Sequence, residues 1–299
     1  MNDARPEIFL PTRDYDLAAT LDSGQAFRWR EHHGVWVGVL GRNRVRLTQE
    51  ANGIRACAEK PIENWDWLRT FLQTDIELEN ILRTFPNDEP MSHAVTACRG
   101  LRVLRQEPWE CLASFILSAT KQIVQIRQIV VHLCERFGER IAPEKTSDLK
   151  FEVSRDLAYA FPTVQRIAAA TEKELRDCKM GFRAPNLLSA ARDIAEGRLD
   201  LQKIRQMPYD DAQAELMKLR GVGKKIADCV LLFAYGFDSA FPVDVWVERA
   251  LQTLYFPKRR ASEKRLLRFA ATHFGPHAGY AQQYLFHYMR IKRKQNAPA

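Results

Sequence analysis

The stretch Leu219–Arg249, LRGVGKKIADCVLLFAYGFDSAFPVDVWVER, decides the fold of this chain. It opens with a turn, Gly221-Val222-Gly223, and apolar residues recur at helical spacing on both sides of that turn. Two glycines at the start of a helix let the backbone approach another group closely and leave amide N–H groups without helical partners. Such amides, together with the positive end of the helix, attract phosphate. The turn therefore predicts either a phosphate-binding hairpin or a plain corner between two helices.

Two lysines, Lys224 and Lys225, open the second helix, where the helix dipole disfavours cations. Lysines placed against that preference point to a bound anion or to chemistry. Lys225 and Cys229 are four residues apart and so share one face of the helix. Further on, Asp244 follows an extended Phe-Pro-Val segment and suits the N-cap of a third helix. An N-cap carboxylate can also face a pocket, so both interpretations of Asp244 stand.

The composition favours a polyanionic partner inside a reducing compartment. The chain has 299 residues and a net charge of +8, with a pI near 9.2. Its six cysteines include no Cys-x-x-Cys pair, so we expect neither a disulfide framework nor a zinc site. The N-terminus lacks the apolar run of a signal peptide, and no stretch approaches a membrane span. We therefore expect an intracellular protein without a membrane partner, in the cytoplasm or nucleoid if the source is bacterial.

The pattern of apolar residues changes along the chain from that of strands to that of helices. Between Trp29 and Glu59 apolar residues alternate and turn residues separate the runs, which predicts an antiparallel meander. After Pro90 the spacing is helical. The predicted fold class is α+β, mainly α. We expect a small N-terminal antiparallel sheet domain over residues 1–92 and a larger helical body over residues 93–299.

The segment Gly181-Phe182-Arg183 lies between two predicted helices. The first helix is opened by a capping box of Thr171 and Glu174, and the second starts at Pro185. An aromatic residue beside an arginine at an exposed tip suits insertion into a base stack. A buried phenylalanine that closes a helix corner explains the segment equally well. The basic run Arg290–Lys294 also has two interpretations, a solvated helix end or a contact to a phosphate backbone.

Four separated motifs, in order, resemble those of one family. The hairpin, Lys225 and the Pro-Val-Asp segment ending at Asp244 resemble the helix–hairpin–helix DNA glycosylases with a Gly/Pro-rich loop and an aspartate. Within that superfamily, three further motifs are similar to those of the 8-oxoguanine DNA glycosylases: SGQAFRW (Ser23–Trp29), LRQEPWECL (Leu104–Leu112) and GPHAGYAQ (Gly275–Gln282). The related endonuclease III branch holds an iron–sulfur cluster on C-terminal cysteines, and this sequence has no cysteine after Cys229.

The resemblance implies a reaction that needs no metal or organic cofactor. In the lyase branch of the superfamily, the lysine at the position of Lys225 attacks the sugar and expels the flipped base. The resulting Schiff base then undergoes β-elimination, which nicks the strand. The aspartate at the position of Asp244 stabilises positive charge on the sugar. The implied partner is double-stranded DNA containing 8-oxoguanine, bound by a monomer.

The resemblance also implies how the lesion is recognised. The base lies between Phe286 and Cys229, and Gln282 reads its Watson–Crick edge. The carbonyl of Gly24 accepts a hydrogen bond from N7–H, which 8-oxoguanine has and guanine lacks. Contacts to the DNA itself are expected from the hairpin and from the segment before Pro185, namely from Gly221, Gly223, Lys224, Phe182 and Arg183.

The sequence departs from the eukaryotic members of the family near the expected contact to the opposite base. Where those proteins carry asparagine and arginine, this chain has Thr120 and Gln125, although Arg183 is kept. Two residues after Asp244, Trp246 replaces a histidine of the family. We therefore expect an intact lesion pocket and altered DNA contacts, with Thr120 and Gln125 among the residues that touch DNA.

Two other functions are compatible with the hairpin. One is a helix–hairpin–helix glycosylase for another damaged base, such as an alkylated base, and members without the lysine do not nick the strand. The other is a non-catalytic DNA-binding protein that uses the hairpin only to hold phosphate. Lys225 favours the lyase interpretation over both, because neither alternative needs an amine at that position.

Overall fold

The computed structural model describes residues 5–119, 121–141, 157–258 and 260–295. Within these residues the strands are β1 (Glu7–Pro11), β2 (Trp29–His32), β3 (Val35–Leu40), β4 (Asn43–Glu50) and β5 (Gly53–Ala58). They form one five-stranded antiparallel sheet with the order β1-β5-β4-β3-β2. The predicted meander is confirmed as β2 to β5. Strand β1 was not predicted, because it pairs with β5 across a separation that no local pattern reveals.

The remainder of the described chain is helical, as predicted. In chain order the helices are α1 (Leu17–Asp22), α2 (Asp66–Leu72), α3 (Leu78–Leu82), α4 (Glu89–Ala97), α5 (Pro108–Leu117), α6 (Ile123–Phe137), α7 (Val164–Ala168), α8 (Glu172–Leu175), α9 (Ala184–Ala195), α10 (Tyr209–Met217), α11 (Lys224–Val230), α12 (Val245–Tyr255), α13 (Glu263–His273) and α14 (Ala278–Gln295). The capping box predicted for Thr171 and Glu174 is present at the start of α8. No helix of the described residues is both long enough and apolar enough to span a membrane.

The sheet and the helices bury separate cores. One face of the sheet packs on α1 and α2, with Leu10, Trp29 and Leu47 at the centre of that cluster. A much larger cluster fills the helical body. Buried residues of α3 and α4, among them Leu78 and Met91, belong to this larger cluster. The α+β fold class is confirmed, whereas the boundary placed after residue 92 stays a prediction.

Helix α5 runs through the centre of the body and ends at the site described below. Pro108 occupies its first turn, and the Glu107 carboxylate caps it by accepting from the amides of Trp109 and Glu110 at 3.0 and 2.7 Å. From Cys111 to Leu117 every residue is buried, because the helix is surrounded by others. A helix that is apolar all round is expected at such a place.

The side chain of Gln25 ties the sheet domain to the body. Its Nε2 donates to the carbonyl of Arg102 at 2.8 Å, and its Oε1 accepts from the amide of Leu104 at 2.8 Å. In addition, the Gln25 carbonyl accepts from Gln106 Nε2 at 2.7 Å. All of these groups are buried, so breaking the network would leave polar atoms unpaired. The network fixes the backbone next to Gly24.

The side chain of Glu110, in the first turn of α5, allows a pH-dependent test of the packing around that helix. Burial raises the pKa of Glu110 to about 7 from an ordinary value of 4.5, although Arg28 Nη1 lies 3.6 Å from its carboxylate. A carboxyl whose pKa is higher in the folded state contributes stability that is present below its unfolded pKa and lost as the pH rises through the folded value. Glu110→Gln changes the free energy of unfolding. We expect this change to be more stabilising at about pH 8 than at about pH 4.5, by roughly 3 kcal/mol.

Urea unfolding of wild type and Glu110→Gln at the two pH values measures this difference. Glu63→Gln makes the same chemical change at an exposed position and supplies the control substitution. A Glu110→Gln effect that is the same at both pH values would contradict the account of a partly buried carboxyl whose pKa is raised.

Candidate active site

The site is a cavity of about 630 Å³ between the end of α5, the starts of α11 and α12, and helix α14. The segment at Gly24, which the Gln25 network fixes, closes one side. All six residues predicted as catalytic or substrate-binding line this cavity: Gly24, Lys225, Cys229, Asp244, Gln282 and Phe286. They come from four separate parts of the sequence, so their convergence is a property of the fold.

Lys225 lies in the first turn of α11, as predicted, and its side chain is half-buried. Its Nζ donates to Ser118 Oγ at 3.2 Å and lies 5.4 Å from the centre of the Phe115 ring. The Ser118 hydroxyl in turn donates to the carbonyl of Phe115 at 2.7 Å, which fixes its orientation. The amine is therefore held by one neutral hydroxyl and one aromatic ring at the wall of the cavity.

Asp244 is the N-cap of α12 and also faces the cavity, so the two interpretations of this residue hold together. Its Oδ1 accepts from the amides of Trp246 and Val247 at 3.0 and 2.9 Å. Both bonds use one carboxylate oxygen only. Burial raises the pKa of Asp244 above its ordinary value of 3.8, while the capping bonds and the charge of Lys225 act in the opposite direction.

Cys229 and three phenylalanines form an apolar wall. Cys229 lies one turn after Lys225 on the same face of α11 and is buried, which raises the pKa of its thiol to about 12. The thiol is therefore uncharged at neutral pH and acts as a small apolar group. In the same cavity lining, the rings of Phe115 and Phe233 stack at 5.5 Å, and Phe27 meets Phe115 edge-on at 5.7 Å.

Gln282 presents an unused hydrogen-bond acceptor to the cavity. The residue is 4% exposed, and its Oε1 has no hydrogen-bond partner among the described residues. A buried acceptor without a partner costs free energy, and native structures rarely retain one. Because Gln282 lines the cavity, its amide is placed to bond a ligand there.

Gly24 and Phe286 lie against each other across the cavity mouth. Gly24 has φ +84°, and a Cβ atom at this position would lie 2.8 Å from Ile123 Cδ1 and 3.3 Å from Phe286 Cε1. Both the backbone conformation and the close approach therefore require glycine. The guanidinium of Arg290, which also lines the cavity, lies 5.7 Å from the Phe286 ring centre and donates to the Asp22 carbonyl at 2.8 Å.

The hairpin has the predicted form. Gly221 has φ +78°, and a Cβ there would lie 2.2 Å from Asn186 Nδ2, so the turn packs closely on α9. Gly223 is the N-cap of α11, and a Cβ added to it would meet no atom within 4 Å. Lys224 is exposed beside it. The amides at this helix start are accessible, and their phosphate contact stays a prediction.

The predicted tip at residues 181–183 is exposed at Gly181 and Phe182 but buried at Arg183. Phe182 is 59% exposed, as expected for a residue that enters a base stack. Arg183 is 2% exposed, so the expectation of an exposed arginine is wrong. Its guanidinium stacks on Phe182 at 4.2 Å and donates to the backbone carbonyls of Met180 and Ala119, which draws it inward. Its contact to DNA stays a prediction.

Two residues, Thr120 and Gln125, were expected to contact the base opposite the lesion, and the structure describes only Gln125. Thr120 lies outside the described residues. Gln125 is exposed in the first turn of α6, where its Oε1 accepts from the amide of Gln122 at 3.2 Å. Its side chain is thus engaged in capping, outside the residues that line the cavity.

Several lining residues were not singled out from the sequence. Ser118 was missed because only its pairing with Lys225, 107 positions away, gives it a role. Arg290 and Arg293, by contrast, belong to the basic run predicted as a solvated helix end or a phosphate contact, and they follow Phe286 at helical spacing on α14. Arg249 faces them from α12. Among the described residues no cluster of three or more His, Cys, Asp or Glu suits a metal ion.

Comparison with known proteins agrees with the family resemblance of the sequence motifs. Residues 7–112 match the family described as 8-oxoguanine DNA glycosylase, N-terminal domain, and residues 113–274 match the HhH-GPD superfamily of base excision DNA repair proteins. The chain belongs to the 8-oxoguanine DNA glycosylase family. The two matches meet inside α5, the helix that carries Ser118 at its end.

Relatives of this glycosylase match it over most of its length. It is 29% identical to a probable N-glycosylase/DNA lyase of Methanothermobacter thermautotrophicus, covering 94% of this chain and 95% of that one. It is 31% identical to the N-glycosylase/DNA lyase of Saccharomyces cerevisiae, covering 80% and 68%. The solved 8-oxoguanine glycosylase/lyase of Clostridium acetobutylicum, bound to double-stranded DNA with cytosine opposite 8-oxoG, has a TM-score of 0.85 at 30% identity, covering 96% and 98%.

Proposed function

We propose that this protein is a bifunctional base-excision repair enzyme that removes 8-oxoguanine from duplex DNA and nicks the strand at the resulting site. The observation that carries this proposal is the half-buried Lys225 amine at the wall of a cavity that also contains Asp244 and the unpartnered Gln282 amide. A non-catalytic clamp has no use for such a cavity. A base inside a duplex is out of reach, so the target nucleotide is flipped out to enter it.

Lys225 is the proposed nucleophile. Its nitrogen lone pair forms a bond to the sugar C1′ while the C1′–N9 bond breaks, and the base leaves with that electron pair and takes up a proton. The C1′–O4′ bond then breaks, its electron pair and a proton from the nitrogen pass to O4′, and the opened sugar is left as a protonated Schiff base on the lysine. Removal of a C2′ proton breaks the C3′–O bond and nicks the strand on the 3′ side. The Ser118 hydroxyl supports this role because it accepts from the amine without competing for its lone pair.

Asp244 is proposed to stabilise the positive charge that develops on the sugar as the base departs. A fixed, partly buried carboxylate does this well, because its orientation is set before the reaction begins. The two capping bonds at the start of α12 hold its Oδ1 in place. The helix cap thus supplies the orientation that the catalytic role needs.

The lesion pocket is proposed to consist of Phe286 and the neutral Cys229 thiol on the two faces of the base. Gln282 would bond its Watson–Crick edge and the Gly24 carbonyl its N7–H. A buried carbonyl that meets an acceptor in place of a donor loses about 1–3 kcal/mol, or roughly 5- to 150-fold. This factor is too small to select one lesion among all guanines. Base flipping and the catalytic step must therefore discriminate as well.

The partner and compartment follow from the same chemistry. The net charge of +8 suits duplex DNA, and the hairpin with Lys224 is proposed to hold a phosphate. None of the six cysteines, all of which lie within the described residues, forms a disulfide, which fits a reducing intracellular compartment. We propose that the protein acts as a monomer.

Single-turnover excision tests the proposal against its alternatives. Three duplexes that differ at one position carry 8-oxoguanine, guanine or an alkylated adenine. We expect base release and nicking with 8-oxoguanine alone. Release of the alkylated base without nicking would establish the alternative glycosylase, and binding without release from any duplex would establish a non-catalytic protein.

We expect relaxed choice of the base opposite the lesion. Arginine offers paired donors that suit cytosine, whereas Gln125 is uncharged and engages its own helix end. Each lost contact removes about 1–3 kcal/mol of discrimination, while Arg183 is retained. Excision from four duplexes that differ only opposite 8-oxoguanine should therefore show a modest preference for cytosine. A preference above about a thousandfold, or roughly 4 kcal/mol, would contradict this prediction.

A further inference from the structure

Two arginines from different helices lie against one tryptophan at the mouth of the cavity. Trp246 is in the first turn of α12, and the guanidinium of Arg249, one turn later, lies 5.3 Å from the centre of its ring. The guanidinium of Arg293, near the end of α14, lies 5.1 Å from the same ring. All three residues line the cavity. We call them the arginine–tryptophan clamp.

The charges of this clamp are not neutralised within the protein. Arg249 and Arg293 are both exposed, and within the described residues neither pairs with a carboxylate. Many other arginines of the chain do have such a partner, for example Arg127 with Asp22 at 2.8 Å. Like charges repel, so two guanidinium groups that share one ring without a counter-charge favour an anion beside them. The indole ring holds both by cation–π attraction.

The position of the clamp identifies the anion. The proposed function requires that the cavity accept a flipped nucleotide. The DNA strand on either side of that nucleotide then passes over the cavity mouth and carries one negative phosphate per nucleotide. Guanidinium groups match phosphate with two parallel N–H bonds. We propose that Arg249 and Arg293 bind phosphates of the lesion strand beside the flipped nucleotide, and that Trp246 is the positioning residue that orients them.

The salt dependence of DNA binding tests the two arginines. The affinity of the whole protein for a duplex with one tetrahydrofuran abasic analogue is measured between about 50 and 200 mM salt. Each neutralised phosphate contributes about 0.9 to the slope of log K against log salt. Arg249→Gln and Arg293→Gln should each lower the slope by about this amount, and the double variant by about twice as much. Slopes equal to that of wild type would overturn the proposal.

Arg166 supplies a matched control. It is exposed, stacks on Phe137 at 5.3 Å and lies outside the cavity lining, so Arg166→Gln removes the same charge and the same kind of ring contact elsewhere. Its slope should equal that of wild type. An equal reduction in all three single variants would show a general effect of net charge, which also overturns the clamp.

The positioning role of Trp246 needs a variant that keeps both charges. Trp246→Ala should weaken binding about tenfold at low salt and lower the slope, whereas Trp246→Phe, which keeps a ring, should restore most of both. If Trp246→Ala binds as wild type does, the ring has no positioning role. The abasic analogue offers no base to excise, so these slopes are independent of whether 8-oxoguanine is the substrate. Failure of excision and failure of the clamp are therefore separate results.

Discussion

Lys225→Gln is expected to abolish base release and strand nicking together, lowering the single-turnover rate at least about a thousandfold. Glutamine is one bond shorter than lysine but keeps an N–H donor on the side of Ser118 Oγ, which accepts from Lys225 Nζ at 3.2 Å, so the cavity should largely keep its shape. What disappears is the lone pair that attacks the sugar. Binding to a lesion duplex should survive. Quenched-flow excision and anisotropy on the same duplex separate the two effects.

The neighbouring lysine provides the control for this substitution. Lys224→Gln removes an equal charge from the same helical turn, but its side chain is exposed and outside the cavity. Its rate of excision at saturating DNA should stay within about a factor of three of wild type, with only the affinity reduced. If both variants lost the same activity, the loss would reflect DNA binding and Lys225 would not be the nucleophile.

Asp244→Asn is expected to lower the rate of base release about 100- to 1,000-fold, because the carboxylate charge that stabilises the transition state is lost. Stability should change by no more than about 0.5 kcal/mol, since asparagine caps helices about as well as aspartate. Asparagine Oδ1 can accept from the amides of Trp246 and Val247 as Asp244 does. Thermal unfolding and single-turnover excision measure the two quantities independently.

The same carboxylate predicts an acid limb in the pH profile. Because burial raises the pKa of Asp244 above 3.8, base release should decline on acidification at a higher pH than an exposed aspartate would give. In Asp244→Asn that acid limb should be absent. A variant that loses melting temperature in proportion to activity would indicate that Asp244 serves only as a helix cap.

Much of the fold was predictable because its signals are local. The glycine turn at 221–223, the Thr171 capping box and the alternation through β3 to β5 each depend on residues close together in sequence. The missed strand β1 illustrates the limit of such signals. Only Leu10 of its five residues is buried, so little alternation marks it, and its pairing with β5 is set by tertiary contact.

The lesion-pocket residues were predictable by resemblance, whereas their immediate partners were not. Ser118 beside Lys225 and the hydrogen bonds that turn Arg183 inward join residues far apart in sequence. Arginine is rarely buried, so exposure was the reasonable expectation for Arg183. Burial was decided by the carbonyl of Ala119 and the face of Phe182, which satisfy the guanidinium locally.

The central claim is that the Lys225 amine becomes covalently bound to the sugar during the reaction. Borohydride reduction of wild type on a duplex with one 8-oxoguanine, followed by protease digestion and mass spectrometry, locates that bond. We predict a single trapped adduct on the peptide that contains Lys225, with the added mass on that residue. An adduct on Lys224, on Lys121 or on the N-terminal amine, or base release with no trapped adduct, would contradict the account.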